Sequence, residues 1–446
     1  MRADIDHRKR FEAARDALFA ELRSDEAAAL AFEAESSDFM RFNGAKVRQS
    51  GSVEQAHAKV KYFRGPKSYA FSLGLGGDPQ ADARALAAAL GEARATAGLL
   101  PDDPYQAVPA AGDVSDSTRR GKLPPAEEIP ARVLGPAQGM DFVGIYSQGA
   151  VCRGAANSAG ASHWYESDTF LCDYSAWLPN GRAVKSSYAG REWDGAAYER
   201  QLADTRRSLE ALHRPAVELK PGAYRAYVTP DALNELIVFF SWYGLGEREM
   251  RQGESAYLAL REGRESLSPL FSLEQDFSLG VEPAFNDDGE LAPERLPLIE
   301  RGKLVNTLVS SRSAKQYGVA SNAAGADEGV RSPAIAPGSL PEADALKALG
   351  TGVYVSNFHY LNWSDPVNAR VTGMTRFACL WVEGGEIVGP IKDMRWDESI
   401  YALLGSKLEA LSAERRLIVE NLSYGGRLTG GCLIPGILVN GLSFTL

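Results

Sequence analysis

From Pro221 to Leu446 the chain is a succession of short apolar runs separated by glycine-marked turns, and this rhythm restricts the fold more than any other feature. Runs of roughly four to eight residues are strand-length, too short for core helices. The last of them, Cys432-Leu-Ile-Pro-Gly-Ile-Leu-Val-Asn-Gly-Leu-Ser-Phe, is also the longest. Glycine-punctuated strands at this density predict a large, mainly antiparallel sheet over 216–446, curved or closed like a barrel. One helix interrupts it early. After the strand Tyr224-Arg-Ala-Tyr-Val, Thr229 is a fair N-cap and Pro230 suits the first helical position, which predicts a helix from Pro230 to Tyr243.

Upstream the pattern is different. Phe11, Ala14, Leu18 and Leu22 recur at helical spacing, and Asp82 to Thr96 is a second helix rich in Ala, Leu and Arg. Between them Leu30 to Ser36, Gln55 to Phe63 and Ser68 to Leu75 alternate as strands, the last two joined by a hairpin turn at Arg64-Gly65-Pro66-Lys67. Helix, antiparallel meander and helix define an N-terminal α+β domain over 1–100. Pro104, Pro109, Pro124, Pro125 and Pro130 then mark 101–130 as a linker or extended crossing segment. A central β/α segment over 131–215 follows, closed by a helix from Tyr198 to His213. No internal repeat is visible. The fold class is α+β, and 446 residues are enough for two or three packed units.

Charge narrows the function classes. Lys plus Arg is 48 and Asp plus Glu is 58, so the net charge is -10, which opposes contact with a phosphate backbone. Leu236 to Phe240 is the most hydrophobic run, far short of the roughly 20 residues that span a bilayer. A charged N-terminus without a leader and four scattered cysteines (Cys152, Cys172, Cys379, Cys432) fit a cytoplasmic protein holding free thiols. No nucleic acid and no membrane are expected as partners.

Few residues carry obvious chemistry. The histidines are too dispersed for one helix to present two of them to a metal; His163 and His359 lie in aromatic-rich strands, where packing or groove lining is the plainer role. Gly74-Leu-Gly-Gly resembles part of a dinucleotide fingerprint, but it leaves a hairpin strand and runs into Asp78-Pro79. Cys432 has no base nearby in sequence and reads as a small apolar filler. Asp287-Asp288 read as solvated turn carboxylates. The informative stretch is the helix Leu233-Asn-Glu-Leu-Ile-Val-Phe-Phe-Ser-Trp-Tyr.

Four longer segments resemble the TldD/PmbA family. They are Asn286-Asp-Asp-Gly-Glu-Leu-Ala-Pro-Glu-Arg and its continuation to Gly318, Asn362-Trp-Ser-Asp-Pro-Val-Asn-Ala-Arg, Trp381-Val-Glu-Gly-Gly-Glu-Ile-Val-Gly-Pro, and Pro435-Gly-Ile-Leu-Val-Asn-Gly-Leu. The resemblance implies two kinds of subunit. In the TldD type a helix bearing His-Glu-x-x-x-His and a cysteine from the C-terminal domain bind zinc, with the glutamate as general base. The PmbA type, also called TldE, lacks those ligands and pairs with the TldD type.

Against that motif Asn234 stands where the first histidine belongs, Glu235 matches the glutamate, and Phe239 replaces the second histidine. The cysteine position falls near Asn421 to Gly425, where Ser423 is present and no cysteine is. The resemblance therefore implies no metal in this chain and zinc in a TldD-like partner. Glu235 would be vestigial as a catalytic residue, a relic or a structural acceptor. Asn234, Phe239, His359 and Trp363 are the candidates for a peptide groove. Phe239, Phe240, Trp242 and Tyr243 would pack beneath the shared cavity or line it. The expected role is a non-catalytic subunit of a complex that degrades or processes unfolded peptides, as a heterodimer or, failing a partner, a homodimer. The alternative is a self-sufficient metallopeptidase or amidase with zinc held by His359, His163, Glu235 and a cysteine.

Overall fold

The computed structural model describes residues 5–110, 112–420 and 423–445. Two sheets organise it. The first has seven strands; its main path starts at Lys67–Gly74 and passes through Lys46–Arg64, Ala27–Asn43, Asp141–Asn157 and Ser162–Trp177 to the edge strand Val114–Arg119, and Ala183–Gly190 also pairs with Ser162–Trp177. All pairings are antiparallel except that of Val114–Arg119, which is parallel. The predicted hairpin is present, with Arg64 opposite Lys67 and Gly65 at φ 56, a conformation glycine adopts without steric cost. The strands are longer than their alternation suggested, because Ala27–Asn43 pairs on both sides and continues through polar residues that face the other half of the molecule.

Two consequences follow for the organisation of the chain. Ala27–Asn43 pairs directly with Asp141–Asn157, so residues of 1–100 and 131–215 share one sheet. The proline-rich stretch between them adds the edge strand Val114–Arg119, itself free of proline, and ends in a 3-10 turn at Ala126–Glu128.

Helices cover one face of this sheet. Asp6 caps His7–Ala20 by accepting from the Lys9 amide at 3.0 Å, and Phe11, Ala14 and Leu18 are its buried stripe. Asp78 caps Pro79–Leu99, which buries Leu86, Leu90, Ala93 and Ala97. Both stripes meet Leu30, Phe32, Val60 and Trp164 in one core. Gly195–Leu212, capped by Asp194, packs Tyr198, Leu202 and Leu212 on Phe142, Tyr174 and Phe170 farther along the same sheet. The opposite face keeps Glu33, Glu35, Ser37, Arg153 and Asp173, and looks toward the C-terminal half.

The second sheet is large, as the glycine rhythm led one to expect, but its 13 strands among the described residues form a mixed and open sheet rather than a barrel. Gly431–Phe444 is its axis: it pairs antiparallel with Leu408–Val419 and Gly222–Val228, parallel with Pro333–Ile335, and at Phe444 with Arg395–Ser399. Gly352–Val355 adds a second parallel pairing, to Gly222–Val228. A branching strand spends its pairing capacity on several partners, and the main path ends at Lys303–Leu304 and Glu386–Pro390, which do not pair with each other among the described residues. The glycines make tight turns, such as Gly384-Gly385 at φ 58 and 87. Among the described residues no helix is long and apolar enough to cross a membrane.

Candidate functional site

The motif helix forms where the sequence places its start. Thr229 Oγ1 accepts from the Ala232 amide at 3.3 Å and donates to the Ser356 carbonyl at 2.8 Å, which ties the cap to the neighbouring strand. The α-helix covers Pro230–Ile237 and tightens into a 3-10 turn at Val238–Phe240, short of the predicted end at Tyr243. Tyr243 is left-handed at φ 52, and at Gly244 a Cβ would lie 1.9 Å from the Phe240 carbonyl oxygen, so the chain must reverse there. The helix lies on the axial strand, with Leu233, Leu236 and Ile237 in one core with Cys432, Ile434 and Ile437.

That packing brings Cys432 to the motif, which its sequence position did not suggest. Its Sγ donates to Asn234 Oδ1 at 2.9 Å. Burial first, then the Asp231 charge, pushes the thiol up to about 12, so it stays protonated. Cys432 is thus a neutral buried thiol, as a filler would be, with a specific partner. Phe239 is 1% exposed; its ring meets Trp363 edge-on at 4.8 Å and stacks on Trp242 at 5.9 Å. Trp363 Nε1 donates to the Trp242 carbonyl at 3.2 Å. Of the aromatic quartet, Phe239 and Phe240 pack, whereas Trp242 and Tyr243 are exposed at the surface.

Glu235 points away from this core and is exposed, yet neighbouring protein crowds it. Burial raises its carboxyl; Lys185 opposes that, and Asp173, Asp231 and Glu420 reinforce it. Among the described residues Glu235 makes no hydrogen bond or ion pair. Asp231, four residues earlier on the same helix face, is ion-paired to Arg416, whose other nitrogen reaches the Ser187 carbonyl at 2.6 Å. Asp173, Lys185 and Ser187 belong to the first sheet, so this pocket of charge joins the two halves. The spacing of Asp231 to Glu235 was a readable signal. Lys185, Asp173 and Arg416 carry none, since only the fold gathers them.

The other predicted residues lie apart from this pair. His359 meets Arg376 at 3.1 Å, and burial together with the positive charges of Arg376 and Lys185 lowers its basicity. His163 is fully buried, with Nδ1 at 2.8 Å from Ser115 Oγ, Nε2 at 3.2 Å from the Gly289 carbonyl, and its ring stacked on Phe285. Both of its nitrogens are occupied. The alternative zinc set of His359, His163, Glu235 and a cysteine is not assembled: no group of three or more His, Cys, Asp or Glu side chains able to hold a metal exists among the described residues.

The donors at the motif do not suit zinc either, for Asn234 is engaged by a neutral thiol and Phe239 offers only carbon. Of the loop expected to carry a cysteine, Asn421 and Leu422 lie outside the described residues, and Ser423 is exposed. Gly76 and Gly77, from the stretch that resembles part of a dinucleotide fingerprint, give their amides to Asp82 at 2.8 and 2.9 Å. Asp287 and Asp288 are not merely solvated, for they pair with Lys59 at 2.8 Å and Lys61 at 3.3 Å.

Residues 221–446 match the family described as the PmbA/TldA metallopeptidase C-terminal domain, just over half of the chain. The chain belongs to the PmbA/TldD family. No curated protein matches it. Several solved structures share the fold over nearly its whole length. TldE from Thermococcus kodakarensis is 15% identical, with a TM-score of 0.76 over 97% of this chain and 100% of that one. A proposed modulator of DNA gyrase from Thermotoga maritima is 15% identical, with a TM-score of 0.75 over 98% of this chain and 100% of its own. Another from Bacteroides thetaiotaomicron is 15% identical, with a TM-score of 0.74 over 99% and 100%. At this identity the likeness is one of fold. The PmbA/TldD domain accounts for the motif helix and the axial strand together, since both lie within the matched residues.

Proposed function

We propose that this chain is a TldE-like, non-catalytic subunit of a cytoplasmic peptidase complex whose zinc resides in a TldD-like partner. The reading is carried by the Asn234–Cys432 hydrogen bond beside the packed Phe239 ring, which together put a poor zinc donor and a hydrocarbon ring at the motif's histidine positions. This chain would wall the substrate space and admit unfolded peptides, with Glu235 facing that space. Trp363 and His359 would border it, by backbone pairing along the strand Phe358–Asp365. That strand pairs on one side only among the described residues, which leaves an edge for an extended chain.

The test is activity and metal content. The purified chain alone should neither cleave an unstructured peptide nor retain zinc after dialysis, and mixing with a TldD-like partner from the same cell should give cleavage and a stable complex by light scattering. Metal-dependent turnover by the chain alone would refute the reading.

A further inference from the structure

A cleft of about 610 Å³ lies between the polar face of the first sheet and the C-terminal half. Its floor follows from strand register. Ala29 lies beside Lys61, Ala31 beside Lys59 and Ala155, and Glu33 beside Arg153. Alanines at alternate positions keep the floor low, and Gly325 and Ala326 do the same for the facing wall. Volume of this size suits a small ligand, for which roughly 300–1,000 Å³ is usual.

The charges around it are unevenly matched. Lys59 and Lys61 are neutralised by Asp287 and Asp288. Among the described residues the guanidinium hydrogen bonds of Arg153 and Arg331 go to carbonyls: Arg153 donates to Cys152 at 2.9 Å and Arg427 at 3.3 Å, and Arg331, which also lies 4.8 Å over the Phe277 ring, to Phe285 at 2.7 Å and Ala284 at 3.4 Å. Neither forms a direct ion pair among the described residues. Arg331 Nε is buried with no hydrogen-bond partner. A buried guanidinium with a vacant donor is costly unless a carboxylate or similar anion completes it. The nearby Glu282 acts on Arg331 through its charge but makes no ion pair with it among the described residues. Asp327, also on the wall, has no ion pair among the described residues.

The cleft is separate from the motif helix. Arg427 lies between them, donating across one row of the sheet to Ser37 Oγ at 3.3 Å, the Gly149 carbonyl at 3.1 Å and the Thr169 carbonyl at 3.1 Å. Along Ser162–Trp177, Tyr165 lies on the cleft side of Thr169 and Asp173 on the other.

We propose that this cleft binds a short free peptide of the di- or tripeptide class, its terminal carboxylate on Arg331 with Arg153 and its terminal ammonium on Asp327. The proposal does not depend on a zinc-bearing partner, and its test uses none. Titration calorimetry on the full chain with trialanine should show saturable binding at millimolar concentration or below. Amidating the peptide's C-terminus, or the variant Arg331→Gln, should weaken binding by about tenfold or more. Asp327→Asn should weaken trialanine binding but leave N-acetyl-trialanine unchanged, a pattern that a misfolded variant could not produce. Circular dichroism would show that both variants fold. Absence of binding to the unaltered chain up to about 10 mM would overturn the proposal. So would equal affinity for the amidated peptide, or inorganic phosphate binding as tightly as trialanine.

Discussion

Cys432 Sγ and Asn234 Oδ1 are 2.9 Å apart, so a side-chain hydrogen bond joins the axial strand to the motif helix. The thiol is held protonated, and all four cysteines are buried. The native protein should therefore react negligibly with a thiol reagent at pH 8, and unfolding should release four equivalents. A fast-reacting native thiol, identified as Cys432 by mass spectrometry, would contradict this geometry.

Phe239 fills a closed aromatic site beneath Trp363 and Trp242. Truncation to alanine removes a buried ring and leaves a void, a loss of about 3–5 kcal/mol for such sites. Urea unfolding of Phe239→Ala should show that loss in the midpoint with an unchanged slope. A loss under about 1 kcal/mol would mean that the ring is not packed as described.

Glu235 bears on pH. Its carboxyl is raised in the folded chain, chiefly by burial, so the native state holds that proton longer than the unfolded state does. This contribution favours folding below the ordinary carboxylate range and is lost as pH rises from the unfolded value through the folded one. Glu235→Gln should therefore melt slightly higher than the parent at pH 7 and equal to it near pH 4. A lower melting point at pH 7 would assign Glu235 a stabilising partner.

Glu26 has the opposite sign. Arg94 pairs with it at 2.9 Å and holds it down to about 2, so its stabilisation is complete above the unfolded value of 4.5 and disappears as pH falls through about 2. The difference corresponds to something on the order of 3 kcal/mol. Stability of the parent should fall relative to Glu26→Gln between pH 5 and 2, measured by chemical denaturation at each pH. Parallel profiles would exclude the coupling.

Local signals were legible wherever the residues that make a feature are neighbours in sequence. The Thr229-Pro230 start of the motif helix, the Gly65-Pro66 hairpin and the helical stripe of Phe11, Ala14 and Leu18 all needed only periodicity and turn chemistry. The early end of the α-helix at Ile237 was not legible, because Val238 to Phe240 are as apolar as the helix before them. Sheet closure failed for a related reason. Glycine density reports turns, and whether the ends of a sheet meet depends on long-range pairing by Gly431–Phe444. At the site, Glu235 and Asp231 are visible as a helix pair, but Lys185 and Arg416 come from strands more than 40 residues away on either side. Cys432 reads as a filler because no partner lies near it in sequence, and only the packing of the axial strand on the helix brings it to Asn234.

The pairing of Ala27–Asn43 with Asp141–Asn157 has a cost during synthesis. At about 5–20 residues per second, a ribosome needs roughly 6–23 s to complete the later strand after the earlier one. Throughout that interval a long strand has one edge bare, with only the hairpin of Lys46–Arg64 on its other side. Nascent chains of this protein should thus depend on holding chaperones until about residue 157 is exposed, and fragments that stop before it should aggregate.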